Sequence, residues 1–498
     1  MADLEYLCLS KPMRVLYKIK NFFKNLGKNI GGFFKALPSK LANFFKKISG
    51  VFIYLYEAFA YGGWKTRLSF LFFGMGNLLN GQILRGLIYF IYEVAFIFFM
   101  ISFGGPYLSK FGTLGTKEMG ETESGFKIIG DNSFNILLYS VLTILVIICT
   151  LYVWYQSIKQ AYETKQLVDI NKRLSTGKDD IKNLGNKYYH VTLLGVPMLG
   201  LVMFTIVPLI FMIFVSFTNY NTTHLPPEKL FTWVGFDNFK TMLTGNGIGG
   251  SSDRFAYTFK TILLWTILWA ILATFSNFFL GMLVAIFINR KGIKLKKLWR
   301  TVLVTTIAVP QFISLLLMSK MLQKDGIYNI LLSSIGLSRI DFLGNATNAK
   351  IAVVLVNLWV GIPYTVLSCT GILMNIPDDL YEAAKIDGAN PYRMFMNITL
   401  PYMMFVMTPS LITTFIGNLN NFNIIYLLTG GGPKLDMNMT STAGQTDLLI
   451  TWLYTLTVND QSYEMASVIG ILVFIICAVL SLIFYSRSGS VKNEEDFQ

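Results

Sequence analysis

The sequence predicts an all-α fold, a polytopic membrane protein of about eight transmembrane helices, and three observations carry that expectation. Apolar runs near 84–103, 134–155, 191–217, 260–288, 302–322, 350–374, 402–428 and 464–485 are each long enough to cross a bilayer, whose hydrocarbon core is about 30 Å thick. Only 14% of the 498 residues are charged and 53% are hydrophobic, with a mean hydropathy of +0.52. A soluble domain carries about 25% charge, so this chain lacks the charge to cover a wet surface.

The third observation is how the basic residues alternate. Residues 1–67 hold 12 Lys and Arg, 156–190 hold 7, 289–300 hold 6, and 375–401 and the C-terminal tail hold 2 each. The intervening connections 104–133, 218–258, 323–349 and 429–463 hold only 3, 3, 2 and 1. This positive-inside pattern places both termini and the polar segment 377–401 in the cytoplasm. The net charge of +14 is therefore read as membrane topology, and nucleic acid is not expected as a partner.

These boundaries divide the chain into a basic amphipathic arm (1–67), an N-terminal transmembrane hairpin region (68–158) and a basic cytoplasmic connection (159–190). A core transmembrane domain (191–486) and a cytoplasmic tail (487–498) follow. In the arm, "FFK" begins at Phe22, Phe33 and Phe44, an eleven-residue spacing that returns a helix almost to the same face. Lys24, Lys28, Lys35, Lys40, Lys46 and Lys47 lie between the Phe pairs. Phe rings in the interface and ammonium groups among headgroups suit anionic lipid. The alternative reading is a basic tail that only enforces topology. The stretch 68–82 has an apolar core of just 68–79, below span length, and is left as a re-entrant or interfacial hairpin or part of an extra span.

Four cysteines (Cys8, Cys149, Cys369, Cys477) and two histidines (His190, His224) show no paired spacing, so neither a disulfide frame nor a metal site is expected. No cofactor is expected in this chain. The basic first fifty residues lack the apolar core and small-residue cleavage site of a signal peptide.

Polar residues inside the spans are the informative exceptions. The seventh span reads "TTFIGNLNNFNIIYLLTGGGP", with Asn418, Asn420, Asn421 and Asn423 crowded beside Gly417. Amides in hydrocarbon need partners or a wet cavity. One fits interhelical glue, but four favour a polar lining, with Asn418 and Asn421 on one helical face. The sixth span carries "VNLWVGIPYTVLSCTG", where Asn357, Gly361 and Tyr364 share a stripe and Pro363 is expected to kink the helix. Amides and an aromatic face suit a hydroxyl-rich ligand. No Asp or Glu lies in either stretch, which argues against a cation or proton pathway. The candidate lining is therefore Gly361, Tyr364, Thr414, Gly417, Asn418, Asn421 and Asn423. The external "TGGGPKLDMNMTSTAGQTDLL" starts with a glycine turn, read either as a loop rim or as a docking lip.

The polar segment "IPDDLYEAAKIDGANPYRMFMNITLP" parses as two short helices. Asp379 and Glu382 have capping-box spacing, Gly388 suits the C′ position, and Asn390 caps a second helix opened by Pro391. Small Ala383 and Ala384 allow close approach by a bulky neighbour, and Glu382 and Lys385 offer charged contacts. Such a capped cytoplasmic hairpin reads as a docking element.

Glu382-Ala383-Ala384, Gly388, Ile398 and Leu400-Pro401 resemble the EAA loop of ATP-binding-cassette importer permeases at every signature position. Over roughly 190–490, "VPLIFMIFVSFTNYN", "VNLWVGIPY", "NFNIIYLLTGGGP" and "AGQTDLL" are similar to the larger membrane subunit of maltose/maltodextrin importers, a type I importer permease fold. The resemblance implies a bacterial cytoplasmic-membrane protein that heterodimerises with a smaller permease. It also implies two ATPase subunits docked at Glu382, Ala383, Ala384, Asp387 and Gly388, an extracellular solute-binding protein, and alternating access. An oligosaccharide site at Gly361, Tyr364, Asn418 and Asn421 is implied as well. Two departures stand out. Gly417 and Asn423 replace an aromatic and an aliphatic residue of the maltose-specific pattern, and the 218–258 connection is too short for a folded external domain.

The chain has no G-x-x-x-x-G-K-[ST] phosphate loop, so ATP hydrolysis is expected from a partner. The leading expectation is a permease importing α-glucan oligosaccharides. The alternatives are another oligosaccharide or a polyol phosphate, a secondary transporter, or a non-transporting scaffold. A polyol phosphate is disfavoured because the lining lacks Lys and Arg. A secondary transporter would want intramembrane acids or inverted repeats.

Overall fold

The computed structural model describes residues 46–47, 49–121, 127–128, 130–245, 252–290, 292–435 and 442–485. The Phe–Lys repeats of the arm and the tail 487–498 lie outside the described residues. In chain order the principal helices are α1 (Ile83–Ser109), α2 (Ser133–Asp169), α3 (Tyr189–Val215), α4 (Ser252–Asn289), α5 (Lys296–Ala308) and α6 (Gln311–Met321). They continue as α7 (Ala346–Leu373), α8 (Asp378–Ile386), α9 (Pro391–Leu419), α10 (Phe422–Leu428), α11 (Leu449–Val458) and α12 (Tyr463–Tyr485). Strand structure among the described residues is one two-residue antiparallel pair, Gly120–Glu121 with Lys127–Ile128.

Among the described residues, seven helices (α1, α2, α3, α4, α7, α9 and α12) are long and apolar enough to cross a membrane. The expected span 302–322 is not one helix: α5 and α6 meet at 88°. Its breaker is Pro310, which forces Val309 into an extended conformation at φ −77°, ψ 122°. The expected span 402–428 is also divided. α9 begins at Pro391, ends at Leu419, and α10 restarts at Phe422 with Asn421 as its N-cap. Asparagines favour such caps because the short amide competes for backbone donors. The four asparagines therefore do not share one helix. Pro363 is carried inside the continuous 28-residue α7.

The described residues fall into two compact units, one reaching Phe214 and including Thr223–Trp233, the other made of Val215–Thr222 and the residues from Val234 onward. In the first unit, the 68–82 stretch is no span. It folds back through turns and the short helix Met75–Leu78. Side chains satisfy its irregular backbone. Glu93 Oε2 accepts from Phe73 N at 2.9 Å, Ser157 Oγ accepts from Gly74 N at 2.7 Å, and Ser69 Oγ accepts from Gly76 N at 2.8 Å. Phe73, Gly74 and Gly76 are buried, and an unpaired buried amide costs about 1–3 kcal/mol, so these bonds are what permit the hairpin. Gly76 is required because a Cβ would lie 2.7 Å from the Ala161 Cβ.

In the second unit α4 is the central post. Its Trp265, Trp269 and Ala273 pack with Val353 and Val356 of α7 and with Ile424 and Ile425 of α10. Further along, Phe278, Met282 and Ala285 pack with Val366 and Cys369 of α7 and Met403 and Met407 of α9. Between these two apolar layers the helices carry polar residues. That interruption, near the middle of both α4 and α7, positions the site.

Candidate functional site

α4 and α7 approach closely because small groups interlock along the contact. A Cβ on Gly361 would lie 2.6 Å from Asn277 Oδ1, and one on Gly281 would lie 2.6 Å from Thr365 Cβ. The two glycines lie four residues from Thr365 and Asn277 on their respective helices, so one face of each helix carries the seam. α9 joins α4 on the same level. Asn418 Nδ2 donates to Thr274 Oγ1 at 3.0 Å, and Trp269 Nε1 donates to the Asn418 carbonyl at 3.2 Å.

Where the three helices diverge they enclose a cavity of about 230 Å³. Its wall is Thr274, Asn277 and Phe278 of α4, Asn357, Gly361, Tyr364, Thr365 and Ser368 of α7, and Met407, Ser410, Leu411, Thr414 and Asn418 of α9. None of these residues is charged. Hydroxyls and carboxamides supply both donors and acceptors, and the half-exposed Tyr364 supplies an aromatic face. This chemistry suits a neutral polyhydroxylated molecule.

Of the candidate lining residues, Gly361, Tyr364, Thr414 and Asn418 come together on this wall, as does Asn357. Asn421 does not line it. Its Oδ1 accepts from Ile424 N at 3.5 Å and its Nδ2 donates to Asn418 Oδ1 at 3.4 Å, so it caps α10 and steadies Asn418. Asn423 is exposed, and Gly417 faces open space with nothing within 4 Å of a Cβ built there. Asn420 turns away, donating to the Ile416 carbonyl and to Cys477 Sγ. The α4 contribution was missed in sequence. Its signal was "LATFSNFFLG", where Thr274 and Asn277 interrupt an apolar span at helical spacing.

The EAA segment forms α8, a turn and the start of α9. Asp379 does not cap α8: Pro377 holds the N-cap and both Asp378 and Asp379 sit in the first turn, where the helix dipole favours them. The exit follows the expectation. Gly388 has φ +73°, and Ala389 N donates to the Ala384 carbonyl at 2.9 Å, the six-to-one closure of a Schellman turn. Asn390 Oδ1 then accepts from Arg393 N at 2.8 Å to open α9 behind Pro391. α9 continues through a π turn, Phe395–Thr399, into the membrane-length helix. Thr399 hydrogen-bonds Tyr381 of α8 at 2.9 Å, so α8 is tied to the helix that carries Asn418. Glu382, Ala383, Asp387 and Gly388 are exposed, and Ala384 is half-buried. Ile386 is 87% exposed, an apolar side chain without cover on a polar loop.

A charge-free polar cavity midway along long apolar helices, with an exposed helix tied to one of its walls, fits a multi-pass membrane permease. Residues 277–488 match the family model of the binding-protein-dependent transport system inner membrane component. The chain is 33% identical, over 84% of its length and 96% of the relative's, to the galactooligosaccharides transport system permease protein GanP of Bacillus subtilis strain 168. It is also 33% identical to the maltodextrin transport system permease protein MalC of Streptococcus pneumoniae, covering 85% of this chain and 95% of that one. The maltose/maltodextrin permease MalF of Escherichia coli K12 is 34% identical over 53% of this chain and 51% of its own. The chain belongs to this family of inner-membrane permease components of ATP-binding-cassette importers. Among solved structures, a bacterial alginate ABC transporter chain shares the fold, with a TM-score of 0.50 at 21% identity over 62% of this chain and 97% of that one. The protein is thus a multi-pass inner-membrane permease subunit, and ATP hydrolysis belongs to a separate subunit.

Proposed function

We propose that this permease, a subunit of an oligosaccharide importer, carries maltodextrin-type α-glucans through the cavity between α4, α7 and α9. The observation that carries the reading is the wall itself: carboxamides, hydroxyls and Tyr364, with no charge, halfway along the helices. The named relatives transport maltodextrin, maltose or galactooligosaccharides, all neutral sugars. Gly361, Tyr364, Thr414 and Asn418 contact the sugar; Asn421 holds Asn418. Gly417 and Asn423 leave room on the α9–α10 side for a longer chain.

A binding protein delivers the sugar from outside, a smaller permease completes the pathway, and two ATPase subunits drive it. One ATPase docks on α8 through Glu382, Ala383, Ala384, Asp387 and Gly388 and covers Ile386. The Tyr381–Thr399 bond passes its movement to α9. Both termini lie in the cytoplasm. That orientation requires the bent α5–α6 pair to cross the membrane, since only an even number of crossings keeps the basic 1–67 and 375–401 segments on one side. The arm then lies on anionic lipid.

The test is uptake of labelled maltotriose, longer maltodextrins and β-linked galactooligosaccharides in cells lacking this chain, with and without it restored. Restored uptake of the α-glucans supports the proposal. Restoration of galactooligosaccharide uptake alone would assign the cavity to β-galactosides instead.

A further inference from the structure

Two buried polar atoms in the cavity wall have no hydrogen-bond partner: Asn277 Oδ1 on α4 and Asn357 Nδ2 on α7. One is an acceptor and the other a donor. They belong to adjacent places, because Asn277 packs on Gly361, one helical turn from Asn357. Asn277 Nδ2 is already committed, donating to the Ala273 carbonyl of its own helix at 2.9 Å. The neighbouring polar groups are committed too. Thr274 Oγ1 accepts from Asn418, and the Thr365 hydroxyl donates to the Gly361 carbonyl at 3.2 Å. An unpaired buried acceptor is costly, and an alanine or leucine here would escape that cost. An asparagine that keeps its oxygen unpaired beside a cavity is suited to accept from a ligand.

Resting on the reading that the cargo is an oligosaccharide, we infer that Asn277 is a further sugar-contacting residue, its Oδ1 accepting from one hydroxyl of the transported sugar. With Nδ2 held by the Ala273 carbonyl, Oδ1 lies over Gly361 in the space a Cβ would fill, on the wall of the cavity. Asn357 Nδ2 can donate to the same hydroxyl, since a hydroxyl both gives and receives. The recognition element is then an acceptor and a donor on two different helices. α4 becomes a specificity element and not only a packing post, and a glycine at 361 is what lets its amide reach the sugar. Sugars lacking the matched hydroxyl lose this contact and no other.

The experiment uses the complete transporter in cells and a panel of singly deoxygenated maltotrioses. Wild type, Asn277→Ala and Asn277→Ser are compared after the amount of permease in the membrane is equalised. The binding protein is the same in each, so its own preferences cancel between variants. Asn277→Ala is expected to raise the half-saturating concentration for maltotriose about tenfold, the loss of one hydrogen bond. For one deoxy analogue alone the variant and wild type should be equal, and Asn277→Ser, which keeps an oxygen acceptor, should lie between. Equal losses for every analogue would make Asn277 a packing residue and overturn the inference, as would no loss for any. If Asn277→Ala does not accumulate, Asn277→Ser carries the same comparison. If wild type transports none of the panel, the oligosaccharide reading itself fails and the inference falls with it, an outcome distinct from a uniform loss in the variant.

Discussion

Asn418 in α9 donates from Nδ2 to Thr274 Oγ1 in α4 at 3.0 Å, one residue before α9 ends at Leu419. The same residue's carbonyl accepts from Trp269 Nε1. The broken end of α9 is therefore fastened twice to the central helix at the level of the cavity. Thr274→Val keeps the shape and removes the acceptor. It should destabilise the purified complex by about 1–2 kcal/mol, seen as a lower Tm in detergent, and raise the half-saturating sugar concentration several-fold. Unchanged Tm and unchanged uptake would mean the fastening does no work.

Gly361 and Asn277 form a matched pair, because a Cβ at 361 would overlap the Asn277 carboxamide. Gly361→Ala should lose most uptake through overpacking, at a cost of about 1–3 kcal/mol. Asn277→Ala vacates that space, so the double variant should fold better than Gly361→Ala alone. Thermal melting of the four proteins measures the coupling, and simple additivity would show that the seam is looser than described.

Gly388 holds φ +73° in open space, with nothing within 4 Å of a Cβ. A side chain there meets no neighbour but pays about 1–2 kcal/mol for the left-handed backbone, and a β-branched one more. Gly388→Val should leave the permease in the membrane yet uncouple it, with uptake falling at least tenfold while binding-protein affinity for sugar is unchanged. Normal uptake would remove α8 from the coupling path.

Asp447 is 3% exposed in the loop between α10 and α11. Its Oδ2 accepts from Gly444 N at 2.7 Å and its Oδ1 from the Thr451 hydroxyl at 2.8 Å. Burial pushes its carboxyl up to about 6, against about 3.9 when unfolded. The neutral form is thus the one the fold prefers. Its contribution is complete below about pH 4 and is lost as the pH rises through about 6, a change of about 3 kcal/mol. Asp447→Asn cannot ionise, and its Oδ1 can accept from Gly444 N while its Nδ2 donates to the Thr451 oxygen, so its Tm should exceed that of wild type by more at pH 8 than at pH 5. A pH-independent difference would contradict this. Gly431→Ala should collapse the loop at any pH, since φ is +84° and a Cβ would strike Asp447.

The helical class, most of the long helices and the EAA turn were legible because each rests on a local signal: run length, periodicity, or a Gly388 and Asn390 at fixed offsets. What escaped rests on tertiary company. Asn418 and Asn421 look equivalent in sequence, yet one lines the cavity and the other caps α10, because Asn420 ends the helix between them. The 302–322 run is apolar throughout, and only Pro310 betrays the 88° bend. Thr274 and Asn277 are short polar residues in an apolar run, and only the packing of α7 and α9 against α4 gives them a shared cavity. Glu93 reads as an isolated acid in an apolar span, and only the folded-back hairpin supplies the Phe73 amide it serves.

The central claim is that sugar occupies the cavity bounded by α4, α7 and α9. The most direct measurement places a single cysteine at Thr414, in a chain with its native cysteines replaced, and follows alkylation in the assembled transporter. The account expects a maltodextrin delivered by the binding protein to slow alkylation at 414 and to leave a control cysteine at the exposed position 149 untouched. Equal labelling at 414 with and without the sugar, in a transporter that still imports it, would contradict the account.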